Sequence, residues 1–149
     1  MKEPHVKSDL TYHFVWCTKY RAKLLTEQIR PQCRNLILNA CKRYRLLNPH
    51  GKVAVDHVHL VIQCPASLSP SEIMNKVKGS VSHELLALHP ELTAAQPKHN
   101  LWARGFYVAS DGRVDPKIIE NYLSEHEGTE IVEEETYDQV LFQSGNEGA

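Results

Sequence analysis

The sequence predicts one α+β domain: a ferredoxin-like, RRM-like antiparallel sheet in the order β-α-β-β-α-β, with an added C-terminal helix. Three observations carry that expectation. The segment from Val55 to Ile62 alternates apolar and polar residues at the period of a strand, and three other short segments are rich in β-branched and aromatic residues. Two long segments repeat apolar residues at helical spacing. These elements follow one another in the order of a split β-α-β unit. The 149 residues are 42% hydrophobic and 23% charged, a composition that supports one real core and argues against disorder.

In chain order, Thr11 to Thr18 reads as the first strand and Lys19 to Lys23 as a basic loop. Thr26 is expected to cap a helix from Glu27 to Leu46. Ile29, Cys33, Leu36, Ile37, Ala40, Cys41 and Tyr44 give it an apolar face, and Pro31 is harmless in its first turn. Asn48-Pro49-His50-Gly51 reads as a turn, Lys52 to Val55 as a short second strand, and His57 to Cys64 as a third that Pro65 ends. Ser69-Pro70-Ser71-Glu72 is a helix start, and Ile73, Val77, Val81, Leu85 and Leu88 continue that helix. Pro90 to Asn100 reads as a loop, Trp102 to Ser110 as the fourth strand, and Asp111-Gly112 as a turn. Asp115 caps a last helix with Pro116 in its first position; Tyr122, Leu123 and His126 lie on it and Gly128 stops it. Residues 1–149 are expected to form a single domain with its core over about 10–128 and an acidic tail over 129–149.

Net charge is −1, so the total gives no sign of a nucleic-acid partner. Its distribution is uneven, with basic residues crowding the first third and acidic ones the end. A basic front is compatible with a phosphate-binding surface and equally with a solvated helix face. Four cysteines without a CxxC pair or a secretory signal read as reduced thiols of a cytoplasmic protein. No apolar run reaches membrane-spanning length.

The chemistry concentrates in two places. In the third strand, Val58, Leu60 and Ile62 point one way and His57, His59 and Val61 the other. The two imidazoles leave one face roughly 6–7 Å apart along the backbone, which suits two ligands of one divalent metal. On this segment alone, half-exposed sheet histidines are the commoner case. The last helix places Tyr122 and His126 four residues apart on one face. A tyrosine hydroxyl beside a metal with open positions is a nucleophilic site for a phosphodiester. Singly, Tyr122 reads as a core-edge tyrosine and His126 as a helix-end histidine; together, after a His-x-His strand, they weigh more.

The motifs then add up to a resemblance. Tyr12-His13-Phe14-Val15-Trp16, Thr18-Lys19-Tyr20-Arg21, Asp56-His57-Val58-His59-Leu60, Lys78-Gly79-Ser80, Leu101 to Val108, and Ile119-Glu120-Asn121-Tyr122-Leu123 stand in the order of the small single-tyrosine HUH transposases, the IS200-like family of the smallest bacterial and archaeal insertion sequences. The chain resembles them over about residues 10–128. That resemblance implies a transposase, a single-strand DNA endonuclease and strand transferase that recognises hairpins at element ends. It implies Tyr122 as the nucleophile that forms a 5′-phosphotyrosine, and His57 and His59 as ligands of Mg²⁺ or Mn²⁺. It also implies a homodimer in which the tyrosine helix of one subunit can complete the site of the other, and a DNA guide segment that selects the cut. Where the family carries a glutamine as third ligand this chain has His126, which can fill the role. Basic residues at Lys19, Arg21, Lys76, Lys78 and Arg104 are the candidate DNA contacts, each of them a plain solvated charge if taken singly. The acidic tail and the His83-Glu84 pair after Lys78-Gly79 depart from the family's basic character there. The alternative is a non-catalytic or domesticated nucleic-acid-binding ferredoxin-like protein, stacking bases on Tyr12, Phe14 and Trp16.

Overall fold

Strand β3 (His57–Pro65) is the centre of the molecule, flanked by β1 (Asp9–Cys17) and β2 (Leu47–Val53). The computed structural model describes residues 9–95, 101–110, 115–124 and 140–143. Strands β4 (Tyr107–Ser110) and β5 (Val140–Gln143) close the two edges, so the sheet order is β4-β1-β3-β2-β5, antiparallel throughout. The first four strands have the ferredoxin-like arrangement. The fifth comes from the expected tail, where Val140-Leu141-Phe142 is an apolar, strand-forming run inside acidic surroundings.

Helices α1 (Arg30–Arg43) and α2 (Pro70–Leu88) cover one face of the sheet. Cys33, Ile37 and Cys41 of α1 and Ile73, Val77, Val81 and Leu85 of α2 meet Phe14, Trp16, Val58, Leu60 and Ile62 in one buried cluster. Ser69 and Glu72 form a reciprocal capping box at the start of α2, with Pro70 in its first turn. A short helix α3 (Glu91–Ala95) occupies part of the expected loop, and α4 (Pro116–Ser124) lies against β1. Asp115 Oδ1 accepts the Lys117 N–H at 2.9 Å, the expected cap.

Several boundaries differ from expectation, among them the end of α1 at Arg43 where Leu46 was expected. Helix α1 begins at Arg30, because the Thr26 carbonyl takes the N–H groups of Ile29 and Arg30 in a preceding turn. The fourth strand is shorter: Trp102 makes only an isolated bridge to Thr18, and pairing with β1 starts at Tyr107. Asn48 to Gly51 is part of β2 and not a turn. Its turn-forming residues are absorbed by a register shift between Leu47 and His50, with Asn48 at φ 51°. Gly51, at φ 149°, is required: a Cβ there would meet the His59 carbonyl oxygen at 2.1 Å. The Asp111-Gly112 turn, the Gly128 stop, His126 and the acidic run Glu130 to Asp138 lie outside the described residues.

Candidate active site

The face of the sheet away from α1 and α2 holds the candidate site residues of β3. Cross-strand partners share a face, so the pairings Cys17↔His57, Val15↔His59, Val15↔Tyr107 and Lys52↔His59 put His57, His59, Cys17, Lys52 and Tyr107 on it together. The alternation in β3 is therefore realised as expected, with Val58, Leu60 and Ile62 in the helix-side core. The two imidazoles stand with ring centroids 5.0 Å apart, and both residues are buried.

His57 is held from behind. Its Nδ1 lies 2.7 Å from Asp56 Oδ1, and the other carboxylate oxygen is 3.1 Å from both Nε and Nη2 of Arg21. A carboxylate accepts, so Nδ1 carries a proton, and in the neutral imidazole that arrangement leaves the Nε2 lone pair for a cation. Arg21 reaches Asp56 because Thr18 to Ala22 fold into a 3-10 turn, with Arg21 N donating to the Thr18 carbonyl and the Thr18 hydroxyl donating to the Ala22 carbonyl.

Tyr122 arrives on α4. Leu123 and Ile119 pack with Val15, Cys17 and Ala103 in a second, smaller cluster, and the half-buried Tyr122 ring lies 6.3 Å from that of Tyr107. Its ring packs against the cluster that contains Cys17, and Cys17 is the cross-strand neighbour of His57. Burial pushes the Cys17 thiol up to about 12, so it is protonated at neutral pH and does not compete as a nucleophile. The other three cysteines are also buried free thiols.

A divalent cation fits the donor set in part. Two imidazoles, one with its tautomer fixed by a carboxylate, are a familiar half of a transition-metal site. Among the described residues no third histidine, cysteine or carboxylate completes a group with them. His126, the expected third ligand, lies outside those residues.

The basic residues divide. Arg21 is buried in its pair with Asp56 and is not a surface contact, because the strained turn draws it inward. Lys78 donates to the Ala103 and Gly105 carbonyls at 3.1 and 2.8 Å, closing α2 onto segment 101–105. It lines a groove of about 490 Å³ with Trp102 and Phe106. Lys76 lies over the Tyr44 ring and Lys19 over that of Tyr20, while Arg104 is exposed. Sequence reasoning missed His13 and Lys52. His13, its ring 5.6 Å from that of His59, and Lys52 both lie on the site face, and strand alternation in β1 and β2 was the signal that could have found them. The same register turns Phe14 and Trp16 into the helix-side core, with Tyr12 packed at its edge, which removes the stacking platform of the alternative reading.

Known proteins resemble this chain in sequence and fold. A family model described as "Transposase IS200 like" matches residues 6–126. The transposase for insertion sequence element IS200 of Salmonella typhimurium is 28% identical over 116 residues, 76% of this chain and 75% of that protein. The ISDra2 transposase TnpA of Deinococcus radiodurans is 23% identical over 120 residues, 80% of this chain and 86% of that one. The fold recurs in a crystal structure of a Deinococcus radiodurans protein, with a TM-score of 0.75 at 22% identity, covering 87% of this chain and 99% of the other. The chain belongs to the IS200-like transposase family.

Proposed function

We propose that this transposase cleaves and rejoins single-stranded DNA at insertion-sequence ends through a 5′-phosphotyrosine on Tyr122, with His57, His59 and His126 holding Mn²⁺ or Mg²⁺. One observation carries the reading most: Tyr122 packs on the cluster that contains Cys17, the cross-strand partner of His57, on the face that holds both histidines.

In the first step the Tyr122 oxygen attacks the scissile phosphorus. A bond to the tyrosine forms on the 5′ side, the bond to the 3′ oxygen breaks, and that oxygen leaves with a proton as a 3′-OH. A bound divalent cation would polarise a phosphoryl oxygen and stabilise the charge that develops in the transition state. Cys17 and Tyr107 pack with the tyrosine in one small cluster. Attack of a DNA 3′-OH on the phosphotyrosine reseals the strand and returns the proton to the phenol. One phosphodiester linkage is exchanged for another, so no ATP is needed.

Hairpin recognition, the guide segment that selects the cut, a homodimer and a cytoplasmic setting belong to the same proposal and rest on family membership. Among the described residues, no helix is long and apolar enough to cross a membrane. The test is incubation with single-stranded element ends and Mn²⁺, followed by denaturing electrophoresis. A 5′-linked adduct that disappears with chelator and in Tyr122→Phe is expected. An undiminished adduct in that variant moves the nucleophile elsewhere, and equal reaction with duplex DNA overturns the single-strand claim.

A further inference from the structure

The turn after β1 inverts the usual order of burial. Tyr20 is 72% exposed while its neighbour Arg21 is 5% exposed. An aromatic in water beside a guanidinium in the interior is not what hydrophobic burial selects. The backbone is strained to achieve it: Tyr20 at φ 60° and Arg21 at φ 52° are successive non-glycine residues in the left-handed region. Such residues are uncommon and persist only where their surroundings over-determine them, often at functional sites. The surroundings here are specific. Thr18 N donates to the Asp56 carbonyl at 2.9 Å, and the Arg21 guanidinium meets the Asp56 carboxylate, whose second oxygen meets His57. A buried ion pair is weak evidence for stability, since apolar groups of similar size often serve as well. Its value here lies in what it orients.

We infer that Arg21 and Asp56 are positioning residues for His57, acting in series to fix its ring orientation and its Nδ1–H tautomer, and that the strained Thr18–Arg21 turn serves to deliver the guanidinium. The relay rests on the proposed metal role of His57. Partners that orient a ligating histidine are worth roughly 10–100-fold in metal affinity.

The experiment uses the full chain and two variants. Asp56→Asn offers an amide that can present its NH₂ to Nδ1, and Arg21→Lys keeps the charge but loses the fork. The readouts are the ring ¹⁵N shifts of His57 in metal-free protein, Mn²⁺ affinity by calorimetry, and single-stranded DNA binding without metal, with a thermal melt to verify folding. The wild type should show Nδ1–H. Asp56→Asn should shift that tautomer and weaken Mn²⁺ binding roughly 10–100-fold, and Arg21→Lys should weaken it by about tenfold, with metal-free DNA binding unchanged in both. If Asp56→Asn does not fold, Arg21→Lys carries the test. Folded variants that bind Mn²⁺ like the wild type overturn the relay. So does a loss of metal-free DNA binding in Arg21→Lys with Mn²⁺ affinity intact, which would make Arg21 a phosphate contact. A wild type that takes up no Mn²⁺ overturns the metal reading instead, and is told apart because the tautomer would still shift in Asp56→Asn.

Discussion

The two faces of one sheet have been given opposite work. The helix-side face is a continuous apolar core that includes Phe14, Trp16, Leu60 and Ile62, all fully buried under α1 and α2. The other face has a small apolar patch around Val15, Cys17, Ala103 and Leu123, and beside it the histidines, Lys52 and Tyr122. Adjacent residues of β3 therefore answer to different demands. Leu60 belongs to the core, while His59, one position earlier, stands on the face of the proposed site, because strand side chains alternate.

That contrast can be broken from either side. The largest expected effect is on the site face. Tyr122→Phe should abolish the covalent adduct while leaving the melting temperature near that of the wild type, since only a hydroxyl at the edge of a small cluster is lost; a large drop in stability would mean the two faces are not separable. Leu60→Ala should do the reverse. Removing a fully buried leucine costs about 2–5 kcal/mol in denaturant unfolding, with adduct yield per folded molecule unchanged. Gly51→Ala should strike both faces, because its Cβ would collide with the backbone at His59. Strain of about 1–3 kcal/mol and a reduced adduct yield are expected together; loss of stability with full activity would show that the β2–β3 approach does not shape the site.

The smallest effect concerns the clamp at the sheet's end. Burial holds Lys78 down from its ordinary 10.5 to about 8, with the nearby Cys17 pulling in the opposite direction. Between those values the unfolded chain binds a proton that the folded chain has released, so stability rises with pH through the window and is lost as pH falls through about 8. Lys78→Met should flatten that rise when unfolding is measured on either side of the window. A slope as steep as the wild type's would assign it to another group.

Much of the fold was legible because strand and helix periods are written directly into residues such as Val58 to Ile62 and Ile73 to Leu85. The β2 bulge was not. Asn48, Pro49 and Gly51 within four residues signal a turn locally, and only pairing with β3 shows that they fit inside a strand. At the site, the His57–His59 pair was readable from alternation, and Tyr122 from its helix together with the family motif. The Arg21–Asp56–His57 chain was not, because it links residues 35 positions apart through a turn whose backbone strain has no sequence signature. His13 and Lys52 were overlooked for a plainer reason: each becomes interesting only once the register places it next to His59.

The division of labour within β3 also constrains how descendants of this gene can vary. Point changes can be absorbed on either face one residue at a time. A single-codon insertion or deletion between Val58 and Cys64 cannot, because every residue beyond it would exchange faces, carrying apolar residues of the core onto the site face and polar groups into the core. With both neighbours of β3 already paired, no adjoining strand can slide to compensate. Length variation in this lineage is therefore expected in the connections between elements, and the spacing from Asp56 to Pro65 should stay fixed even where its residues drift.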